Sequence, residues 1–340
     1  MSDLSFTVWI DRVRAGRDLS RDEMRCAFEL IMTGQVGHDD MAEFLRLLAD
    51  KGESVEEIAG AADVLNEKVM RVPCEFDCAD TCGTGGDGIN TFNVSTTAAI
   101  IAAGAGAIVA KHGNHTSTRV SGSADVVAQL GVRLDPPIAT LSRCLAECGI
   151  AFLHAPLLHP AMKHAAPVRR ALRIRTIFNL IGPLTNPAGA RRQVIGTCKA
   201  HLTEKIGQVL AARNVPRAWV PCSHEGLCDL SITGESRVTE VRDGRIGTFT
   251  VHPSQVGFRT APLEALLVDS PQASAQAVRA ILERRDRGPR RDHSLLNAAS
   301  ILIVAGRADD LPTAVQMAAD SLDSGAALAK LEQLITLSHS

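Results

Sequence analysis

The densest chemistry in the chain lies in Asp80-Thr81-Cys82-Gly83-Thr84-Gly85-Gly86-Asp87-Gly88 and the Asn90-Thr91-Phe92-Asn93-Val94-Ser95-Thr96 that follows. Four glycines within six residues let a backbone approach a ligand closely and turn several N–H groups into one concavity. Asn93, Ser95 and Thr96 fall at the expected mouth of a helix, whose first N–H groups and positive dipole end favour an anion. A hydroxyl there also suits a hard cation that travels with a phosphate. The run lacks the closing Gly-Lys-Ser/Thr of a nucleoside-triphosphate loop and the spacing of a dinucleotide fingerprint. It reads as a phosphate site of another kind.

A second polar cluster follows a short strand predicted over 107–110. It runs Lys111-His112-Gly113-Asn114-His115-Thr116-Ser117-Thr118-Arg119, then Ser121-Gly122-Ser123-Ala124-Asp125. Loops at the carboxyl ends of parallel strands gather on one edge, so this loop and the glycine run are expected to face one cleft. Lys111 and Arg119 supply charge for a polyphosphate, and Asn114 and the hydroxyls supply directional hydrogen bonds. A third candidate spans His159 to Arg175. A helix carrying Lys163, Arg169 and Arg170 is expected there, placing one guanidinium on a carboxylate in bidentate fashion.

The elements that must position these groups divide into two textures. The first 70 residues read as helices only, with Ser20 and Glu23 as a capping box and another helix opening at Ser54. From about residue 76, predicted strands (107–110, 151–153, 194–197, 218–221) alternate with helices (95–105, 123–130, 138–148, 201–213), the pattern of a mostly parallel sheet. Val238 to Val241, Asp243-Gly244 and Ile246 to Val251 predict a hairpin. The fold class is therefore α/β. A helical domain over 1–70, joined by part of 165–190, is expected beside a larger α/β domain over 71–340.

Composition narrows the function classes. For 36.1 kDa, folded surface scales to about 13,000 Å², which leaves ample buried area for a core. Lys and Arg total 36 against 38 Asp and Glu, and only 3% of residues are aromatic, with no Tyr. A general grip on nucleic acid or anionic membrane is not expected. The longest apolar run, Ala98 to Ala110, is too short to span a bilayer. Asp3, Asp11, Arg12 and Arg14 around a short apolar patch do not make a signal peptide. Nine cysteines without a secretory start predict reduced thiols in a cytoplasmic protein. Their spacing fits no zinc pattern, so most are expected to be packing groups.

Taken together, Gly83 to Gly88, Thr91 to Thr96, Lys111 to Asn114, Ser121 to Asp125 and His159 through Arg175-Thr176 to Pro187 resemble the anthranilate phosphoribosyltransferase family. The likeness extends to Gly52-Glu53-Ser54 and to Leu296-Asn297-Ala298-Ala299. It implies a helical domain, an α/β domain and a homodimer formed through the helical part. It also implies magnesium-dependent transfer of phosphoribose from phosphoribosyl pyrophosphate to the amine of anthranilate, in tryptophan biosynthesis.

Carried over by motif, phosphoribosyl pyrophosphate would meet Gly83, Gly86, Asp87, Thr91, Asn93, Val94, Ser95, Thr96, Lys111, His112, Gly113, Asn114, His115, Thr116, Ser117, Thr118, Arg119 and Ser123. Anthranilate would meet Gly83, Asn114 and Arg169. Lys111, His112 and Asn114 would serve the transfer, and Ser95 would hold one Mg²⁺. Three departures from the family pattern stand out. His115 replaces an Arg, and Thr118-Arg119 replaces a Ser-Ser pair, with Arg119 expected to supply part of the missing charge. Cys228-Asp229 replaces an Asp-Glu pair at the second metal position. A thiol gives Mg²⁺ little, so a weak second site leaning on Asp229 and Glu225 is expected. A diverged relative with another acceptor or low activity, nucleoside-phosphorylase-like or nucleic-acid-binding, is the alternative.

Overall fold

The computed structural model describes residues 6–116 and 119–340. Seven strands form one sheet: β1 (Ala79–Gly83), β2 (Val109–Gly113), β3 (Ile150–His154), β4 (Arg192–Gly196), β5 (Arg217–Ser223), β6 (Ser236–Arg242) and β7 (Arg245–Val251). Their order is β3-β2-β1-β4-β5-β6-β7, parallel through β5 and antiparallel from β5 to β7. β1 lies between β2 and β4, so the chain's progress across the sheet reverses there. The crevice beyond the carboxyl end of such a strand is where open α/β sheets take ligands.

β1 escaped the sequence reading, which treated Asp80 to Gly83 as part of a loop. It is a central strand, paired from Ala79↔Arg192 to Gly83↔Gly196. Its polar residues are satisfied from inside: Asp80, fully buried, accepts the His112 N–H at 3.0 Å. β2 likewise begins later and runs further than the predicted 107–110. Pairing with β3 from Val109↔Ile150 to Gly113↔His154 carries Lys111 and His112 into the strand. Those two belong to the sheet, not to a loop.

The helical part is α1 (Phe6–Arg14), α2 (Arg21–Met32), α3 (His38–Lys51) and α4 (Val55–Glu67). Ser20 and Ser54 each cap a helix through a reciprocal box with Glu23 and Glu57. Glu57 is wholly buried and also accepts from the Leu19 N–H and the Lys51 ammonium, both at 2.9 Å. One core joins Phe28, Phe44 and Ile58 of these helices to Val168, Ile177 and Phe178, and runs on to Ile206 and Val220 of the sheet side. The helical part is thus packed directly against the segment that carries Arg169.

Beyond β1, α5 (Val94–Gly104) starts at the capping residue Asn93, and the apolar run 98–110 is divided between α5 and β2. Among the described residues no helix is long and apolar enough to cross a membrane. The hairpin β6–β7 turns on Asp243 and Gly244, both with positive φ (50° and 77°), the type I′ geometry that matches strand twist. The accessible surface is 13579 Å², in line with the value scaled from mass.

Candidate active site

β1 ends at Gly83, and the turn after it holds Gly85, Gly86 and Gly88 at positive φ. At Gly86 the requirement for glycine is doubled, because a Cβ would collide with the Arg175 guanidinium. That guanidinium donates to the Gly85 carbonyl and, at 3.3 Å, to the Thr84 hydroxyl. It clamps the turn from a distant segment of the chain. Asp87, its side chain shut off from solvent, forms a two-point ion pair with Arg119, whose Nε–Oδ1 contact is 2.6 Å. Arg119 also donates to the Thr91 hydroxyl at 3.3 Å.

Asn93 Oδ1 accepts the Thr96 N–H at 3.0 Å, and Val94 donates to the Phe92 carbonyl. The helix mouth therefore spends two of its N–H groups internally. Ser95 keeps its N–H and a hydroxyl that makes only a 3.4 Å contact with Asn93. Across the crevice Asn114 is held by Ser123, whose hydroxyl accepts the Asn114 N–H at 3.2 Å. His115, at the position where the resemblance leads one to look for Arg, pairs with Asp125 at 2.6 Å.

One cleft of about 310 Å³ collects most of these groups. Gly83, Gly86, Asn93, Ser95, Lys111 to Thr116, Arg119, Ser123, Arg169, Cys228 and Asp229 all line it. Asp87, Thr91, Val94 and Thr96 do not. The first two lie behind Arg119, Val94 is buried core, and the Thr96 hydroxyl is buried without a partner. Ser117 and Thr118 fall outside the described residues. Lys163 and Arg170 are exposed and do not line this cleft. Lys163 belongs to a separate 3₁₀ turn, Pro160–Lys163, ahead of the helix Ala166–Leu172.

A second cavity of about 370 Å³ adjoins the first and shares with it His112, Asn114, Ala155, Arg169, Phe178 and Gly182. Arg169 sits on this shared wall, 5.0 Å above the Phe178 ring. Among the described residues no hydrogen bond or ion pair uses its guanidinium, and burial lowers its pKa. A desolvated cation without a counter-ion is a receptor for an anion. Next to it His112 and His159 meet through their Nε2 atoms at 3.2 Å. Burial pushes both well down, His159 to about 4, so they stand as a neutral pair near pH 7.

Among the described residues no three His, Cys, Asp or Glu side chains are grouped to hold a metal on their own. Asp229 nonetheless fits a hard cation: among the described residues its carboxylate has no hydrogen bond, and burial, with Asp87 nearby, raises it to about 6. Ser95 offers a hydroxyl across the same cleft. Glu225 is instead engaged by the Ser231 and Thr233 hydroxyls and by His224, and it does not line the cleft. Nor does the Cys228 thiol fit Mg²⁺: its hydrogen bond to Cys198, together with burial, keeps it protonated. A Mg²⁺ here would depend on oxygens brought by the substrate, its usual habit.

Sequence reasoning missed Arg175, which clamps the turn and reaches Cys198, and Asn179, which lines the cleft. Arg175 had a signal, the last of four Arg in 169–175 and directly before Thr176, but its grip on the glycine turn is a tertiary fact.

The chain matches a glycosyl transferase family in two parts, the helical bundle domain over residues 8–69 and the a/b domain over residues 75–328. An anthranilate phosphoribosyltransferase of Rhodopseudomonas palustris (strain BisA53) is 44% identical over 336 residues, 99% of each chain. The crystal structure of anthranilate phosphoribosyltransferase from Thermus thermophilus is similar with a TM-score of 0.93 at 35% identity, covering 98% of this chain and 99% of that one. The Saccharomyces cerevisiae enzyme in complex with PRPP and Mg gives 0.90 at 27% identity over 99% of each chain.

Proposed function

The chain belongs to the anthranilate phosphoribosyltransferase family of glycosyl transferases, and we propose how its cleft performs that family's transfer. Phosphoribose moves from phosphoribosyl pyrophosphate to the amine of anthranilate, and pyrophosphate leaves. The observation that carries this reading is the free, desolvated Arg169 guanidinium on the wall shared by the polar cleft and its neighbour. It offers a carboxylate-bearing acceptor a cation that no described carboxylate already pairs with.

Breaking the bond from ribose C1 to pyrophosphate builds positive charge on the sugar and negative charge on the leaving group. The residues serve this by position and electrostatics, with no covalent nucleophile. The glycine turn, Ser95 and Lys111 face the leaving pyrophosphate. Asn114, held by Ser123, stands where the two cavities meet and orients the acceptor. His112, neutral and backed by His159, would assist with the amine proton as the new bond forms. Mg²⁺, when bound with the substrate, would offset pyrophosphate charge at Ser95 and Asp229. The helical unit over 1–70, joined by part of 165–190, and a homodimer formed through it complete the proposal, and sedimentation of the intact chain checks the latter.

The test is the fluorescence of anthranilate mixed with the protein, phosphoribosyl pyrophosphate and Mg²⁺. Anthranilate is expected to be consumed, and its meta and para isomers, which misplace the carboxylate relative to the amine, are expected to react far more slowly. Unchanged fluorescence at saturation would overturn the reading.

A further inference from the structure

Two cysteines stand beside the glycine turn, brought there by different strands. Cys198 follows β4, Cys228 lies on the loop after β5, and the two segments pack backbone to backbone: a Cβ on Gly226 would lie 3.3 Å from the Cys198 carbonyl oxygen, and one on Gly196 would collide with the Cys228 carbonyl. Both are free thiols, Cys198 half-buried and Cys228 buried. Cys228 stands against the end of β1, where a Cβ on Gly83 would lie 2.9 Å from its Cβ and 3.6 Å from its Sγ. Arg175, the clamp of the turn, donates to Cys198 Sγ at 3.1 Å. We propose that Cys198 and Cys228 are a redox pair, joined by a hydroperoxide into a disulfide that disables the pyrophosphate end of the cleft.

The chemistry balances within that set. The Cys198 sulfur attacks one peroxide oxygen, forming S–O as O–O breaks, and the departing oxygen leaves as water after taking a proton. The Cys228 sulfur then attacks the resulting sulfenic sulfur. S–S forms, S–O breaks, and hydroxide leaves as water with the Cys228 proton. Two thiols are oxidised by two electrons and the hydroperoxide is reduced; with hydrogen peroxide the products are two waters. The bond would tie the 225–229 loop to the end of β4, drawing Asp229 away from Ser95 and removing the sulfur that Arg175 holds. The cysteines Cys144 and Cys148 also touch, but they belong to one helical turn far from the cleft.

The effect on binding rests on the functional reading above; the cross-link itself does not. Treating the full-length reduced protein with hydrogen peroxide, followed by alkylation and tryptic mapping, is expected to join the peptides 193–199 and 218–237. Fragmentation then assigns the partner as Cys228 or its peptide neighbour Cys222. The affinity for phosphoribosyl pyrophosphate, titrated before and after, is expected to fall at least about tenfold, and dithiothreitol is expected to restore it. Oxidation of Cys198 to sulfinic acid without a cross-link, or a bond to Cys222, would overturn the pairing. A Cys198–Cys228 bond with unchanged affinity would overturn its consequence. Reduced protein that never binds phosphoribosyl pyrophosphate would overturn the functional reading and leave the pairing standing.

Discussion

The two ends of the cleft handle charge in opposite ways. At the glycine-turn end the guanidinium groups are already engaged, Arg119 by Asp87 and Arg175 by Gly85, Thr84 and Cys198. At the other end Arg169 and the His112–His159 pair are desolvated, and the cation has no counter-charge among the described residues. The first end is held in shape by its own polar contacts, so a polyphosphate meets a preorganised cradle. The second is held by packing against Phe178 and the helical core, and it leaves one charge for the ligand to neutralise. On the proposed reading, preorganisation would serve the charge that develops, and the vacant charge would select the acceptor.

That contrast is broken hardest at Arg169. Arg169→Ala is expected to lower kcat/KM for anthranilate about 100-fold, the scale of about 3 kcal/mol for truncating one partner of a buried charge pair. The KM for phosphoribosyl pyrophosphate should barely move, and Arg169→Lys should recover only part of the loss because a point charge cannot replace the fork. Steady-state kinetics with each substrate varied separates the two ends.

Arg119→Ala strikes the preorganised end. It leaves Asp87 as an uncompensated buried carboxylate, a destabilisation of about 3 kcal/mol or more. It is expected to raise the KM for phosphoribosyl pyrophosphate about tenfold, the size of about 1.4 kcal/mol. Adding Asp87→Asn should recover the melting temperature, since the stranded charge is gone. An unchanged KM would show that Arg119 only holds the turn.

Cys228→Asp tests the metal position at the same end. A second carboxylate beside Asp229 repels it until a cation arrives. The variant should melt lower without Mg²⁺ and gain more from Mg²⁺ than the parent chain, with a half-saturating concentration lowered about threefold. Thermal melts across a Mg²⁺ series read this directly.

The last test concerns the neutral histidines. His159 titrates near 4 in the fold against about 6.5 when exposed. Below 6.5 the unfolded chain takes up the proton first, so His159 lowers stability as pH falls from 6.5 toward 4 and has no such effect above it. The slope from this one group is about 1.4 kcal/mol per pH unit. His159→Asn should flatten the fall of melting temperature over that window by its share.

Legibility in the sequence followed the range of the interactions. The capping box at Ser20, the helix start at Ser54 and the Asp243-Gly244 turn are complete within four residues, and each appears in the structure as the local pattern predicts. The glycine turn, Lys111 to Asn114 and Arg169 were visible as residue types, and the parallel sheet gathers them. β1 was hidden because Asp80 and Thr81 look like loop residues until β2 supplies Asp80 with the His112 N–H. Arg175 and Cys198 were hidden for the same reason, since each matters only through a residue brought from elsewhere in the chain. The nine cysteines resolve unevenly: most are buried or half-buried in packing, whereas Cys228 lines the cleft and Cys198 is held by the Arg175 that clamps the glycine turn.

The central claim is that one cleft joins a phosphoribosyl donor to a carboxylate-bearing amine. Its most direct measurement is pyrophosphate release by the reduced protein with phosphoribosyl pyrophosphate and Mg²⁺, with and without anthranilate. The account predicts one pyrophosphate released per anthranilate consumed and next to none without the acceptor. Release that proceeds equally well without anthranilate, or none with both substrates saturating, would contradict it.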